Sequence, residues 1–385
     1  MRKKIAVILS RFPYPLDKGD KLRAFHQLKY LSAHHDIYLF SLHTEAVGAE
    51  SYSMLAQYCK EIHLYKINYF DIFKGIIFSL LNKFPIQVGY FFSWSIKKEI
   101  SSGISAKNID TVYCQLSRTA LYAKDFEGKK VIDFQDAFSV NYKRLSESTS
   151  GIYRLFYKRE YNTMLAFEQK ILNWFDTCTI ISAFDKSQIS DEKSKIQVVP
   201  NGVDTNYFIT KETARNYDIV FIGNLSYLPN MNAVFYLVKN IFPLLKKQWP
   251  VVKINIAGAD TPKEIYDLAN EHITVSGFAE DIREVYAAAK IFVAPLFTGA
   301  GLQNKILEAM SMRVPCVTTS VVNVSLNAAE NKHLLIANNE EEFVSKIVSL
   351  LSSESLQTEI SNNARKFVEE NYSWEKANGK LEGLL

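Results

Sequence analysis

The stretch of this sequence richest in chemistry is IFVAPLFTGAGLQNKILEAMSMRVPCVTTS, residues 291–320. An apolar, strand-like run ends at Pro295-Leu296. A small-residue loop follows, Thr298-Gly299-Ala300-Gly301, and a helix is expected from about Leu302, carrying Lys305, Glu308, Ala309 and Met310. Glycines let a backbone approach a ligand closely. A helix N-terminus offers free N–H groups and partial positive charge to an anion. Lys305, in the first turn, adds a full charge suited to a diphosphate. A cation there opposes the helix dipole, so it argues for a ligand rather than for folding. Glu308 lies three residues on, on the same side of the helix, where a carboxylate can accept hydrogen bonds from a ribose diol. Lys305 and Glu308 are therefore catalytic candidates, and Gly299, Ala300, Gly301 and Leu302 are binding candidates. The alternative for such a loop is a plain tight turn.

A second candidate is Asp136, in VIDFQDAF. A carboxylate at a strand end could orient or deprotonate an acceptor hydroxyl. It could equally cap the following helix, and both readings stand. Asp133, one alternation away, reads as structural. Arg11, Arg23 and Arg118 would meet phosphate or support loops, and His26 reads as an ordinary helix residue rather than a catalytic one. The four cysteines (Cys59, Cys114, Cys178, Cys316) are scattered without a CxxC. That pattern fits a reducing compartment and no structural metal, with Cys178 and Cys316 as buried thiols. No Asp-x-Asp pattern offers a divalent-ion site.

The elements that must position these residues alternate along the whole chain. Strand-like runs are IAVILS, IYLFSL, EIHLYK, TVYCQ, KVIDF and TCTIIS. After a break come DIVFIG, KINIAG, ITVSG, IFVAPL, PCVTTS and LLIAN. Amphipathic segments separate them, so the expected class is α/β with mostly parallel sheets covered on both faces. The length of 385 residues suits two domains, and 48% hydrophobic residues can fill two cores. Pro200-Asn201-Gly202 is a turn signal before the second strand series. It places the hinge near 192–200, the first domain at 1–195 and the second at 196–372. The tail 373–385 either closes the second domain or packs back on the first.

Charge is uneven. The net +4 divides into about +8 over residues 1–200 and about −4 over 201–385. The first half is thus expected to meet something anionic, a membrane surface or a phosphate-bearing acceptor. Nucleic acid has no recognition motif behind it. Residues 68–100 are crowded with aromatic and aliphatic side chains among Lys74, Lys83, Lys97 and Lys98, and residues 152–175 have the same character. These are either helices packed on the sheet or a basic, aromatic surface that lies on a membrane or grips a lipid chain. The N-terminal apolar run stops at Arg11, too short for a signal peptide. IFKGIIFSLL at 72–81 is too short to span a bilayer.

Residues 291–320 resemble the donor site of the family 4-like glycosyltransferases, whose fold is called GT-B and whose K-x-x-E-A-M pattern binds the nucleotide sugar. VVPNGVDTNYF, at 198–208, looks like the linker of that family. ITVSGFAEDIREVYAAAKIFVAPL resembles its base-binding segment, placing Gly277 and Phe278 against the nucleobase. GNLSYLPNMNAVFYL, at 223–237, occupies the first phosphate loop of the second domain, bringing in Gly223 and Asn224. RFPYPLDKGDKLRAFHQLKYLSAHH resembles the first loop of the sugar transferases associated with exosortase and exopolysaccharide systems, with Gly19 and Asp20 facing the donor.

The resemblance implies two facing doubly wound Rossmann-like domains with the active site in the cleft between them. It implies hexosyl transfer, retaining and without a catalytic metal, from a UDP- or GDP-linked sugar. The acceptor would be a hydroxyl of a glycan or lipid-linked saccharide, in cell-envelope polysaccharide biosynthesis. The protein would be cytoplasmic and peripheral on the inner face of the plasma membrane. Two departures stand out: the wider family has a Glu where this chain has Ala300, and Arg and Lys where it has Asn224 and Pro229. Lys305 is left as the main donor-side cation. The alternatives are a nucleotide-sugar 2-epimerase and a donor-binding partner without catalysis.

Overall fold

The computed structural model describes residues 2–189, 195–210, 213–298 and 301–385. The chain divides into two compact units, Met1–Pro200 with Ala377–Leu385, and Asn201–Lys376. All twelve runs read as strands form strands.

The first unit is built on β1 (Lys4–Leu9), β2 (Asp36–His43), β3 (Glu61–Lys66), β4 (Thr111–Gln115), β5 (Lys129–Asp133), β6 (Thr177–Ile180) and β7 (Ile196–Val198). They pair in parallel in the order β3-β2-β1-β4-β5-β6-β7. Strand alternation feeds two cores. Ile5, Val7 and Leu9 of β1 enter one apolar cluster, and Ala6 and Ile8 enter the other. Helices therefore cover both faces, the doubly wound arrangement the alternation implies.

Strand β7 corrects the expected boundary at 195/196. It pairs with β6 through Cys178↔Ile196, so the first unit runs to Pro200. Three residues are too few to show a periodicity, and the Pro-Asn-Gly turn just after them hid the strand. Arg23 holds this edge. Fully buried, it pairs with both oxygens of buried Asp133 (2.5 and 3.1 Å) and donates to the carbonyls of Val199 (2.9 Å) and Pro200 (3.1 Å). Tyr113, Gln27 and Thr179 also donate to Asp133. Satisfying every lone pair is what makes a buried carboxylate tolerable.

The second unit is built on β8 (Tyr217–Ile222), β9 (Ile254–Ala257), β10 (Ile273–Gly277), β11 (Ala289–Ala294), β12 (Cys316–Thr318) and β13 (Leu335–Ile336). It is again all parallel, in the order β10-β9-β8-β11-β12-β13. The unit boundary at Lys376/Ala377 falls inside the last helix, Trp374–Glu382. Leu381 and Leu385 enter the first unit's core.

Candidate active site

In the second unit three neighbouring strands run out into glycine: Gly223 follows β8, Gly258 follows β9 and Gly277 ends β10. Gly223 N–H donates to the Ala257 carbonyl (3.1 Å), Gly258 N–H to Gly277 (2.7 Å) and Leu225 N–H to Ala259 (2.8 Å), lacing the loops after β8, β9 and β10. A methyl group on Gly258 would stand 1.6 Å from the Gly223 carbonyl oxygen. Only glycine allows this approach. A methyl on Gly223 would stand 2.9 Å from Lys305 Nζ and 2.8 Å from Asn230 Nδ2. The side chain that Gly223 lacks is thus the space the ammonium occupies.

Lys305 lies in the first turn of helix Asn304–Ser311, which starts two residues later than the expected Leu302. Its Nζ donates to Asn230 Oδ1 and lies 5.1 Å from the centre of the Phe221 ring. Burial pulls the ammonium down to about 8, against the opposing charge of Glu308. Asn230 is itself fixed, donating from Nδ2 to the Asn224 carbonyl (2.8 Å). Glu308 accepts from the hydroxyl of fully buried Tyr286 at 2.9 Å. Burial raises the Glu308 carboxyl, with Tyr286 and Lys305 opposing.

The other predicted positions divide. Phe278, 73% exposed just beyond β10, presents an open aromatic face beside Gly277. Asn224 builds its loop instead of presenting its amide. It donates to Asp260 (2.7 Å) and accepts from the Ser226 hydroxyl (2.7 Å). Leu302 is buried, and the Gly301 carbonyl accepts from Gln303 Nε2 (3.2 Å). Gly299 and Ala300 lie outside the described residues. The structure adds Asn230, Phe221 and Tyr286, none of which the sequence singled out. An Asn within Pro-Asn-Met-Asn reads as turn chemistry and carries no sign of a lysine 75 positions away.

In the first unit Asp136 follows β5, half-buried, and its carboxylate has no hydrogen-bond partner among the described residues. Burial pushes it up to about 7. The charge of Asp185 adds to this and Arg23 opposes it. The capping alternative is removed, because helix Phe138–Ser148 has Ala137 at its N-cap. That helix start is held by buried Glu168, which accepts from the Ser139 hydroxyl (2.6 Å) and N–H (3.3 Å). Gln135, before Asp136, has φ +64°, and Leu116, just past β4, has φ +68°. Such left-handed backbone at bulky residues is strained. Buried Gln135 Oε1 and Ser117 Oγ have no partner.

Gly19 opens helix Gly19–His34, beside the Gln135 amide. The Asp20 carboxylate is shared by Arg11 (3.2 Å) and buried Arg118 (3.3 Å). Burial, together with Arg11, pulls Arg118 down to about 10. A cavity of about 180 Å³ beside Arg11 is also lined by Lys18, Lys21 and His43. The first unit thus offers a polar, basic sheet edge and, beside it among the described residues, the Asp136 carboxyl. The second offers a glycine-edged cradle with one ammonium and one carboxyl.

Residues 216–353, spanning the cradle, match the family described as Glycosyl transferases group 1. A Klebsiella pneumoniae protein named "Uncharacterized 44.6 kDa protein in cps region" is 27% identical over 397 residues, covering 97% of each chain. Among solved structures, sucrose-phosphate synthase from Thermosynechococcus elongatus aligns with a TM-score of 0.71 at 15% identity, over 100% of this chain and 98% of that one. Anabaena HepE, in complex with UDP, gives 0.71 at 15% identity, over 99% and 98%. A glycosyltransferase from Rickettsia africae gives 0.67 at 19% identity, over 100% and 98%. The fold is GT-B, and residues 216–353 of its second unit match the model of that glycosyl transferase family.

Proposed function

We propose that the protein is a family 4-like hexosyltransferase of the exopolysaccharide-associated kind. It moves a sugar from a UDP- or GDP-linked donor to a hydroxyl of a glycan or lipid-linked saccharide, with retention, in cell-envelope polysaccharide synthesis at the inner face of the membrane. The observation that carries this reading is the cradle of Gly223, Asn230, Lys305 and Glu308 at the carboxyl ends of a parallel sheet, where open α/β sheets bind ligands. The Lys305 ammonium meets the diphosphate, Glu308 the ribose, and Phe278 the base. Strand-end glycines leave the backbone open to the phosphates. Charge developing on the leaving diphosphate is stabilised by groups already in place. In the first unit Asp136 orients the acceptor hydroxyl, and the basic edge around Arg11 suits a phosphate-bearing acceptor. UDP bound to HepE and the cps-region name of the Klebsiella relative support the donor class and the polysaccharide setting.

Calorimetric titration with UDP, GDP and their sugars tests the site. One nucleotide should bind the wild type, and Lys305→Ala should weaken it roughly 10- to 100-fold, the loss of one charge-assisted bond. Unchanged affinity would remove Lys305 from the donor pocket. The second reading, a donor-binding partner without catalysis, is favoured by Ala300 in place of the family's Glu. Donor binding with neither hydrolysis nor transfer across many acceptors would select it.

A further inference from the structure

Helix Tyr69–Leu81 turns most of its large apolar side chains outward. A helix packed on a protein core buries its large apolar side chains. Here the fully buried positions are Gly75 and Ser79. They press against helix Ile86–Tyr90 so closely that a methyl on Gly75 would lie 2.0 Å from the Gly89 carbonyl oxygen. Ile72 and Phe78 pack part-buried beside them, and the exposed stripe holds most of the other large residues: Phe70 and Phe73 at 64% and 62%, Ile77, Leu80, and Leu81 at 78%. The first turns of helix Gly151–Trp174 repeat this, with Ile152, Tyr153 and Leu155 each exposed by more than two thirds.

The two stretches are neighbours. Arg159 donates to the Phe84 carbonyl (3.2 Å), and Ile86 N–H donates to buried Glu160 (2.8 Å). These bonds bring the segment just after the first helix beside the third turn of the other. Single exposed apolar residues are ordinary, but a contiguous set this large marks an interaction surface. Its charge selects the partner. Lys74 (over the Phe70 ring at 4.0 Å), Lys83, Arg154 and Lys158 are all exposed within the same segments. Segment 151–159 contains no acidic residue. Aromatic and aliphatic side chains interleaved with cations suit the interface of an anionic bilayer, where rings sit at headgroup depth and lysine stems snorkel. Among the described residues no helix is long and apolar enough to cross a membrane, so such a surface would lie on the bilayer.

We propose that Tyr69–Lys83 and Ile152–Lys158 form one face that docks on an anionic lipid bilayer, with the first helix flat in the interface. This deepens the membrane part of the function above and rests on it only for the leaflet concerned. The test needs neither donor nor acceptor. The full-length chain is floated with vesicles of phosphatidylcholine alone and with 30% phosphatidylglycerol, at low and high salt. Flotation should require the anionic lipid and weaken with salt. The exposed-residue variant Phe73→Ser/Leu81→Ser should lose at least tenfold in vesicle affinity, and so should Lys74→Glu/Arg154→Glu. Their melting temperature and UDP titration should match the wild type. Absence of flotation by the wild type would overturn the proposal, as would undiminished flotation of both variants. So would a wild-type dimer that Phe73→Ser/Leu81→Ser makes monomeric while vesicle binding stays absent, which would make the face a self-association surface. Unchanged UDP binding throughout keeps the donor reading separate from this one.

Discussion

Two residues set an expected pH dependence. In the proposed donor site a diphosphate meets the ammonium form of Lys305, which burial pulls down to about 8. Nucleotide affinity should be flat below that pH and fall roughly tenfold per unit above it, and Lys305→Ala should be flat throughout. Calorimetry between pH 6.5 and 9.5 checks this. Asp136 works in the opposite sense. To orient the acceptor hydroxyl in the proposed reaction, its carboxyl must be ionised and accept the hydrogen bond, so transfer should rise with pH through about 7, giving a bell-shaped rate profile. The same shift has a stability consequence. A carboxyl whose folded pKa is raised favours the native state least where it is ionised, above about 7, and has no effect well below the ordinary value near 4. Asp136→Asn should therefore abolish most transfer while raising the melting temperature at pH 8. The gain would be on the order of 1 kcal/mol, about 2–4 °C, with no gain at pH 4. Lys305 and Glu308 were legible in the sequence because their spacing and a cation against the helix dipole make an unusual pair. Asn230 and Tyr286 were not, because the fold alone brings them to these two side chains. Asp136 was ambiguous because Glu168, far along the chain, supplies the cap.

Most strands were legible because their runs are apolar on both faces, as a buried parallel sheet requires; the three-residue β7 was not. What the runs could not show is how their ends meet. Gly223, Gly258 and Gly277 lie in separate runs, yet a methyl on Gly258 would strike the Gly223 carbonyl. Gly258→Ala should thus push the β8 and β9 loops apart at the place where Lys305 and Asn230 sit. We expect a loss of roughly 1–3 kcal/mol by overpacking and a larger proportional loss of nucleotide affinity. Thermal melts and titration on the same sample separate the two, and an unaffected affinity would mean that the glycine edge is not part of the cradle. Helix Tyr69–Leu81 shows the same limit from another side. Its composition suits either a packed helix or a surface one. The choice was made by small residues at Gly75 and Ser79, which let it pack by its narrow side.

At the scale of the molecule each unit has its own parallel sheet, but the chain does not visit them strictly in turn. Ala377–Leu385 belong to the first unit although they follow the whole of the second. The sequence left this open, because an amphipathic tail does not reveal which core it completes. The structure places Leu381 and Leu385, 0% and 1% exposed, in the cluster with Val7, Leu9 and Tyr113. Polar ties accompany them: Lys3 Nζ to the Leu385 carbonyl (3.0 Å), Asn378 Nδ2 to the His26 carbonyl (3.0 Å) and Glu382 to His35 (3.1 Å). Each lost leucine costs about 2–5 kcal/mol in a core, while a whole domain is stable by only about 5–15. Deleting Ala377–Leu385 should therefore unfold the first unit or leave it barely folded, and Leu381→Ala should lower its melting point without abolishing it. The second unit keeps its own core and all the described cradle residues. Hydrogen exchange reads the difference: in the truncated chain the amides of β1, β2 and β4 should lose protection, those of β8, β9 and β11 should retain it, and UDP should still bind. Protection lost equally from both sheets, or from neither, would show that the tail does not complete the core to which its leucines are assigned.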